Sequence, residues 1–295
     1  MAQNLAKNHI CRSKSPYTVR QFFVEKKDRE LCPVMDYRPI NEYIVKNKYP
    51  IPNTKEQLAK LHKKQWFTKL DVQWGYNNIC IKEGDQWKTT FKTNPGLFKC
   101  NIMFFGLCNS LATFQTLMDE ASKELIDKGT VFVYMDNIVI ATEGPLYEHV
   151  KEVWKVLKIL QEHNLFLKPS KCEFHQKTVS YLGFLVRGNK VQMDPIKVEA
   201  IKCWKNPIDL KEVCSFLGFG NFYKVFILHY SLVARPLHDL THKGQQWHWG
   251  PMQQIAFNTL KHAFTTYPVL CNPDHNKHFV LDTDASAYAV GSILQ

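Results

Sequence analysis

Short apolar runs with turn signals between them fill the first third of the chain, and helical spacing takes over further on. Phe22-Phe23-Val24 and Pro33-Val34 flank Lys26-Lys27-Asp28-Arg29-Glu30, which predicts a β-hairpin with a basic tip. Prolines at 39, 50 and 52 exclude a long helix there, and Asn53 or Thr54 can cap a short one reaching Leu61. Trp66-Phe67-Thr68-Lys69-Leu70-Asp71 is a β-rich run ending in an acid, and Ile79-Cys80-Ile81, after Gly75-Tyr76, predicts a second strand. From Asn109 onward Leu111, Phe114, Leu117, Met118, Ala121 and Leu125 recur at spacings of three and four, which predicts a helix with one core-facing side. Residues 131–141 are two β-branched runs around a polar centre, a hairpin pattern with Asp136 at the turn.

Helix returns over residues 148–162, where Val150, Val153, Trp154, Leu157 and Leu160 mark the apolar side, and residues 181–186 predict strand. Asp194-Pro195, and Asp209 with Glu212, are helix-start signatures. Ala256, Phe257, Leu260 and Phe264 line a later helix, and Phe279-Val280-Leu281 opens a β-unit holding Asp282, Asp284 and Gly291. No internal repeat or low-complexity linker interrupts this order.

Composition adds a size and a partner class. With 295 residues and 45% hydrophobic content, the chain has material for about two domains. It lacks a run of 18 apolar residues and an apolar N-terminal stretch, so neither a membrane partner nor secretion is expected and an intracellular place is. The nine cysteines form no C-x-x-C pair and are expected to be free thiols. His238 and His242 have the spacing of a zinc pair, but no matching ligand accompanies them and a solvated helix end is the expected reading. A net charge of +11 favours a polyanion, because lysine and arginine displace the counterions condensed on phosphates.

Asp71 and Asp136 lie at strand ends 65 residues apart with a helix between, so neighbouring strands of one sheet can bring their carboxylates together. Such a pair can hold divalent ions, while each acid alone could simply close a turn. The surrounding words narrow the choice. Phe67-Thr68-Lys69-Leu70-Asp71 with Gly75-Tyr76, then Phe105-Gly106-Leu107-Cys108-Asn109-Ser110-Leu111-Ala112-Thr113-Phe114-Gln115, then Tyr134-Met135-Asp136-Asn137 occur in order. Asp36-Tyr37-Arg38, Lys171-Cys172-Glu173-Phe174, Tyr181-Leu182-Gly183 and Ser215-Phe216-Leu217-Gly218 extend the series over nearly the whole chain. This resembles the reverse transcriptase of gypsy-type LTR retrotransposons.

The resemblance implies an α+β right-hand polymerase with an antiparallel palm sheet: fingers and palm over 1–186, thumb over 187–240, and a connection with the truncated start of a ribonuclease H-like domain over 241–295. It implies an RNA-directed DNA polymerase adding dNTPs to a DNA primer on an RNA or DNA template, as part of a retrotransposon polyprotein working in cytoplasmic particles, with the nucleus as the alternative. It assigns Mg2+, or alternatively Mn2+, to Asp71, Asp136 and the Val72 carbonyl. Lys26, Arg38, Tyr76 and Phe105 would line the nucleotide pocket, Tyr76 against the sugar 2′ position. Tyr181, Leu182 and Gly183 would form the primer grip. Asp284 would be the first acid of a ribonuclease H site whose other acids lie beyond Gln295. Lys26 also reads as a solvated charge, and Tyr76 as a packed core tyrosine.

The chain departs from the family at sensitive places. Asn137 stands where the family has a second aspartate, so one anionic ligand has become a neutral amide, which hard magnesium binds less well. Cys32 stands where the family has an arginine, and a thiol cannot make a bidentate phosphate contact. Gln73 and Cys214 also replace arginine, Leu111 replaces proline and Arg29 replaces glycine. Single deamination transitions in CG-starting arginine codons and in aspartate codons would give most of this pattern, as in a decaying genomic copy. Coding DNA from sibling copies tests that, and several base changes per codon would refute it. Two expectations stay open: an impaired polymerase, or a catalytically dead remnant that only binds nucleic acid.

Overall fold

The computed structural model describes residues 2–25, 31–61, 63–188, 190–227, 229–266, 269–271, 281–285 and 290–294. The chain divides into two compact units, residues 1–60 with 65–176 and residues 61–64 with 177–295. The α+β class is as expected.

In the first unit, β1 (Ile10–Arg12), β2 (Val19–Glu25) and β3 (Leu31–Met35) share a sheet with β5 (Phe91–Thr93) and β6 (Gly96–Cys100) in the order β1-β6-β5-β2-β3. Only β2 and β5 run parallel there. The expected basic-tipped hairpin is β2–β3, with Phe22 opposite Val34; its tip, Lys26 included, lies outside the described residues.

A second sheet, fully antiparallel, has the order β7-β8-β4-β9, from β4 (Trp66–Asp71), β7 (Val131–Tyr134), β8 (Asn137–Thr142) and β9 (Glu173–Gln176). It is the palm sheet expected from the sequence. Beta-branched runs suit β7 and β8 because both pack into a core with Leu70, Phe114, Met118, Ile138 and Ile140. Residues 79–81 do not extend into the predicted strand. They hold one bridge, Cys80 to Ile102, because the Ile79 N–H is spent closing the turn at Tyr76.

Two helices need correction. The helix expected from Asn109 to Leu125 is α4 (Ser110–Ala121) and then α5 (Lys123–Asp127), broken at Ser122, and Leu111 is exposed while Phe114 and Met118 are buried. On α6 (Leu146–Glu162) the inward residues are His149, Val153, Val156 and Leu160, and Trp154 faces out at 68% exposure. His149 belongs inside because each ring nitrogen has a hydroxyl partner, Nε2 with Thr68 at 2.8 Å and Nδ1 with Thr142 at 2.9 Å.

The preceding helices are α1 (Ala2–Ala6), α2 (Arg38–Asn41) and α3 (Thr54–Lys60), the last started by Asn53, whose side chain accepts the Lys55 N–H. The second unit holds a sheet of β10 (Val179–Tyr181), β11 (Phe184–Arg187), β12 (Lys190–Met193) and β13 (Val269–Cys271) in sequence order. Residues 181–186 are thus a hairpin rather than the single predicted strand, because Leu182 and Gly183 both take positive φ, +50 and +83, as a tight I′ turn requires.

The helix starts match the sequence. At α7 (Pro195–Lys202) Asp194 accepts the Ile196 N–H, and at α8 (Leu210–Tyr223) Asp209 accepts the Glu212 N–H while Glu212 accepts the Ile208 N–H. Pro236 sits inside α9 (Tyr230–Asp239), and α10 (Pro251–Thr266) buries the expected Ala256, Phe257, Leu260 and Phe264. A final hairpin pairs β14 (Leu281–Ala285) with β15 (Val290–Leu294), placing Asp284 opposite Gly291. Among the described residues, no helix is long and apolar enough to cross a membrane.

Candidate active site

Antiparallel pairing brings the two acids together. Asp71 ends β4 directly opposite Asn137, which begins β8, and the Val72 N–H donates to the Asp136 carbonyl at 2.9 Å. Asp136 is in the two-residue turn between Tyr134 and Asn137, whose first residue, Met135, has φ +56. The Asn137 amide donates to Asp136 Oδ1 at 3.2 Å. Burial, helped by the charge of Asp71, pushes the Asp136 carboxyl above the usual carboxylate range, against its own backbone hydrogen bond and Lys171. Lys171 answers part of this crowding by donating to Asp71 Oδ2 at 3.0 Å. Two acids short of positive charge at one sheet end form an oxygen donor set that suits a hard divalent cation. Among the described residues no group of three His, Cys, Asp or Glu side chains gathers as a metal site.

An aromatic wall adjoins the acids. Tyr76 lies on the turn that follows β4, edge-on to Phe105 (5.0 Å) and Phe114 (5.5 Å), and its hydroxyl reaches Met135 Sδ at 3.7 Å. Its phenol is pushed up to about 12, by burial first and then by Asp136, so it stays protonated. Gly75 is required beneath it, since a Cβ there would lie 2.7 Å from the Phe114 ring. Phe105 is 59% exposed. The loop after it is tied to α2, because the Asn41 side chain donates to the Gly106 carbonyl and accepts the Cys108 N–H. Arg38, on the same helix, is exposed and forks onto Asp36 at 2.8 and 2.7 Å.

Asp71, Val72, Asp136, Asn137, Tyr76 and Phe105 are therefore assembled in one unit, with Arg38 on a helix tethered to the Phe105 loop. Lys26 lies outside the described residues, and of Cys32 and Asp284 only the backbone is described. Tyr181, Leu182 and Gly183 fall in the other unit. Their turn is braced locally: the Gly183 carbonyl accepts from the Tyr223 hydroxyl and the Asp194 N–H, both at 3.1 Å. His242 sits 3.8 Å from Asp239, an ion-pair geometry rather than a zinc site.

Lys171 and Gln115 are site residues that the sequence pattern does not single out, although both sit inside the motifs. Lys171 closes a short turn whose Lys168 N–H also bonds the Asp71 carbonyl, so a local turn aims it at the acid. Gln115 is fully buried on α4, and its Oε1 accepts the Met135 N–H at 2.8 Å. An uncharged polar residue inside an apolar helix face was the available signal.

Residues 24–186 match the model of the family described as reverse transcriptase (RNA-dependent DNA polymerase), and residues 249–295 match an RNase H-like domain found in reverse transcriptase. The Tf2-7 transposon polyprotein of Schizosaccharomyces pombe is 35% identical over 292 residues, and Tf2-3 is 35% identical over 296. Each alignment covers 99% of this chain and 22% of the relative, so the chain spans about a fifth of those polyproteins. Among solved structures, foamy viral protease-reverse transcriptase with dsDNA (TM-score 0.86) and with an RNA/DNA hybrid (TM-score 0.85) are 24% identical. Both matches cover 97% of this chain, and 60% and 38% of those chains respectively. At that identity they speak for the fold. With a family match over more than half its residues, the chain belongs to the reverse transcriptase (RNA-dependent DNA polymerase) family.

Proposed function

We propose that this chain is the RNA-directed DNA polymerase region of a gypsy-type retrotransposon polyprotein, with catalysis impaired by Asn137 and Cys32. The observation that carries the reading is the pairing of Asp71 with the Asp136-Asn137 turn beside the Tyr76–Phe105 wall. Its partners are then a template–primer, dNTPs and the rest of the polyprotein, and its setting a cytoplasmic particle. Foamy viral proteins of this fold form complexes with dsDNA and with an RNA/DNA hybrid, which agrees with a template–primer partner.

In this reading Asp71, Asp136 and the Val72 carbonyl hold magnesium. The two bonds flanking the Val72–Leu167 bridge, Gln73 N–H to Phe166 and Lys168 N–H to Asp71, leave that carbonyl out. A bound pair of ions supplies an activated primer 3′-hydroxyl and charge neutralisation on the leaving pyrophosphate. The chain's own residues position the rest. Tyr76, wedged between two phenylalanines, cannot swing aside and so crowds a ribose 2′-hydroxyl. Arg38 has the planar fork that matches phosphate oxygens and can exchange Asp36 for them, and Lys26 would add a point charge for the same triphosphate. Tyr181, Leu182 and Gly183 hold the primer end.

The second reading, a remnant that binds nucleic acid without turnover, is favoured by Asn137 and Cys32. Primer extension on an RNA template with Mg2+ and then Mn2+ decides between them. The chain is compared with Asn137→Asp, with Asn137→Asp plus Cys32→Arg, and with Asp136→Ala as blank. Restoring the acid should raise the rate on the order of 10²-fold, the worth of one charge-stabilising group in such a site. Extension only by the restored chains means a dead polymerase of the right kind. No extension by any, with template–primer still bound, establishes the remnant.

A further inference from the structure

The turn that carries Asp136 is held by buried side chains that lead away from the acids. Gln115 accepts the Met135 N–H through Oε1 at 2.8 Å and gives its Nε2 to Asp119 Oδ1 at 2.8 Å and to the Val133 carbonyl at 3.4 Å. Asp119 Oδ2 accepts the Tyr49 hydroxyl at 2.9 Å. Gln57, itself buried, adds a second donor to Val133 at 2.8 Å. β7 is the edge strand of the palm sheet, so these amides occupy positions that a neighbouring strand would otherwise fill.

The orientation of Gln115 is decided by its partners. An ionised carboxylate only accepts, so Asp119 must face the amide NH2, and the amide oxygen is left for Met135. That oxygen matters because Met135 has φ +56, a conformation that L residues rarely keep without support from their surroundings. Tyr49 in turn keeps Asp119 aimed inward.

We propose that Gln115 and Asp119 are positioning residues for nucleotidyl transfer: together they lock Met135 in the left-handed conformation and so fix where Asp136 points beside Asp71. This rests on the polymerase reading. Neither residue touches substrate, and each acts through the turn.

The test uses the full chain carrying Asn137→Asp, with Gln115→Leu and Asp119→Asn added separately. An asparagine at 119 can offer its own NH2 and allow Gln115 to flip. Since a misplacement of about 1 Å can cost about 10²-fold, kcat should fall about 10²-fold in Gln115→Leu and about tenfold in Asp119→Asn. The KM for dNTP should stay within about twofold, and the Met135 amide should exchange hydrogen faster in both. Unchanged kcat in both variants overturns the proposal, as does a fall in kcat that only tracks a lowered melting temperature with Met135 exchange unchanged. If neither the Asn137→Asp parent nor Asn137→Asp plus Cys32→Arg extends a primer, the polymerase reading fails on its own. Met135 exchange then still decides whether the pair holds the turn, and unchanged exchange overturns that.

Discussion

Two hairpins with two-residue turns solve the same problem differently. At β7–β8 the turn puts a methionine at φ +56, and the strain is met by a buried amide on α4 that accepts the Met135 N–H. At β10–β11 the positive-φ pair ends in Gly183, which adopts +83 freely, and support comes from outside, with Tyr223 and Asp194 donating to its carbonyl. The first hairpin presents a charged side chain and needs its backbone held at a donor. The second presents backbone, and its tyrosine brace lies so close that no side chain fits. A strained turn fixed from within and an open turn fixed from without should respond to different insults.

The largest effect is expected at Gly183. A Cβ there would lie 2.7 Å from Tyr223 Oη, in a conformation L residues avoid. Gly183→Val should cost roughly 3–4 kcal/mol, the sum of a left-handed penalty and an overpacking penalty, read as a lower urea midpoint for the second unit. An unchanged midpoint would show that the Tyr223 brace moves aside.

Acid should separate the hairpins next. Burial, and then His175, lowers His149 to about 4 from its ordinary 6.5, and its two hydroxyl partners sit on β4 and β8. A His whose folded value is depressed stabilises the fold fully above its unfolded value, and that stability drains as pH falls from 6.5 through about 4. The loss reaches about 3 kcal/mol below that. Tyr223 is pushed the other way, up to about 12, by burial and then by Asp194, so it remains a donor throughout. Amide exchange at pH 4.5 should therefore rise at β8 before β11, and His149→Gln should flatten the pH dependence of β8. Equal loosening of both hairpins would break the comparison.

What the sequence disclosed divides along the same line. Asp71 at the end of β4 and Asp136 in a tight turn were legible because β-branched runs and their breaks are local signals. The starts of α7 and α8 were legible because capping residues lie within four positions of what they cap. The tilt of α6 was hidden, since an apolar tryptophan competes with His149 for the inward side and only the threonines on β4 and β8 decide the contest. The break at Ser122 was hidden by a continuous apolar spacing across it. Lys171 and Gln115 were hidden as site residues because their partners are 100 and 20 residues away. Residues 181–186 read as strand because Leu182 is a good strand former, and only its pairing with Gly183 reveals the turn.

Tyr223→Phe is a gentler probe of the outer brace. It removes one of two donors to the Gly183 carbonyl and leaves the Asp194 N–H in place, so it should cost only about 1 kcal/mol. A loss as large as that of Gly183→Val would mean that the tyrosine, rather than the glycine, holds the turn.

The smallest and most discriminating change is Met135→Gly. Glycine adopts φ +56 without the steric penalty of a side chain, but it also gains freedom in the unfolded chain and loses the sulfur contact with the Tyr76 hydroxyl. The balance should be a gain of about 0.5 kcal/mol or less in the melting of the first unit. Activity in the Asn137→Asp background should nonetheless fall, because the freed turn no longer keeps Asp136 in one direction. Gain in stability with loss of rate is the signature of a strained turn retained for the acid it carries. A stabilised chain of undiminished rate would show that Gln115 alone fixes the turn and that the methionine's strain serves nothing.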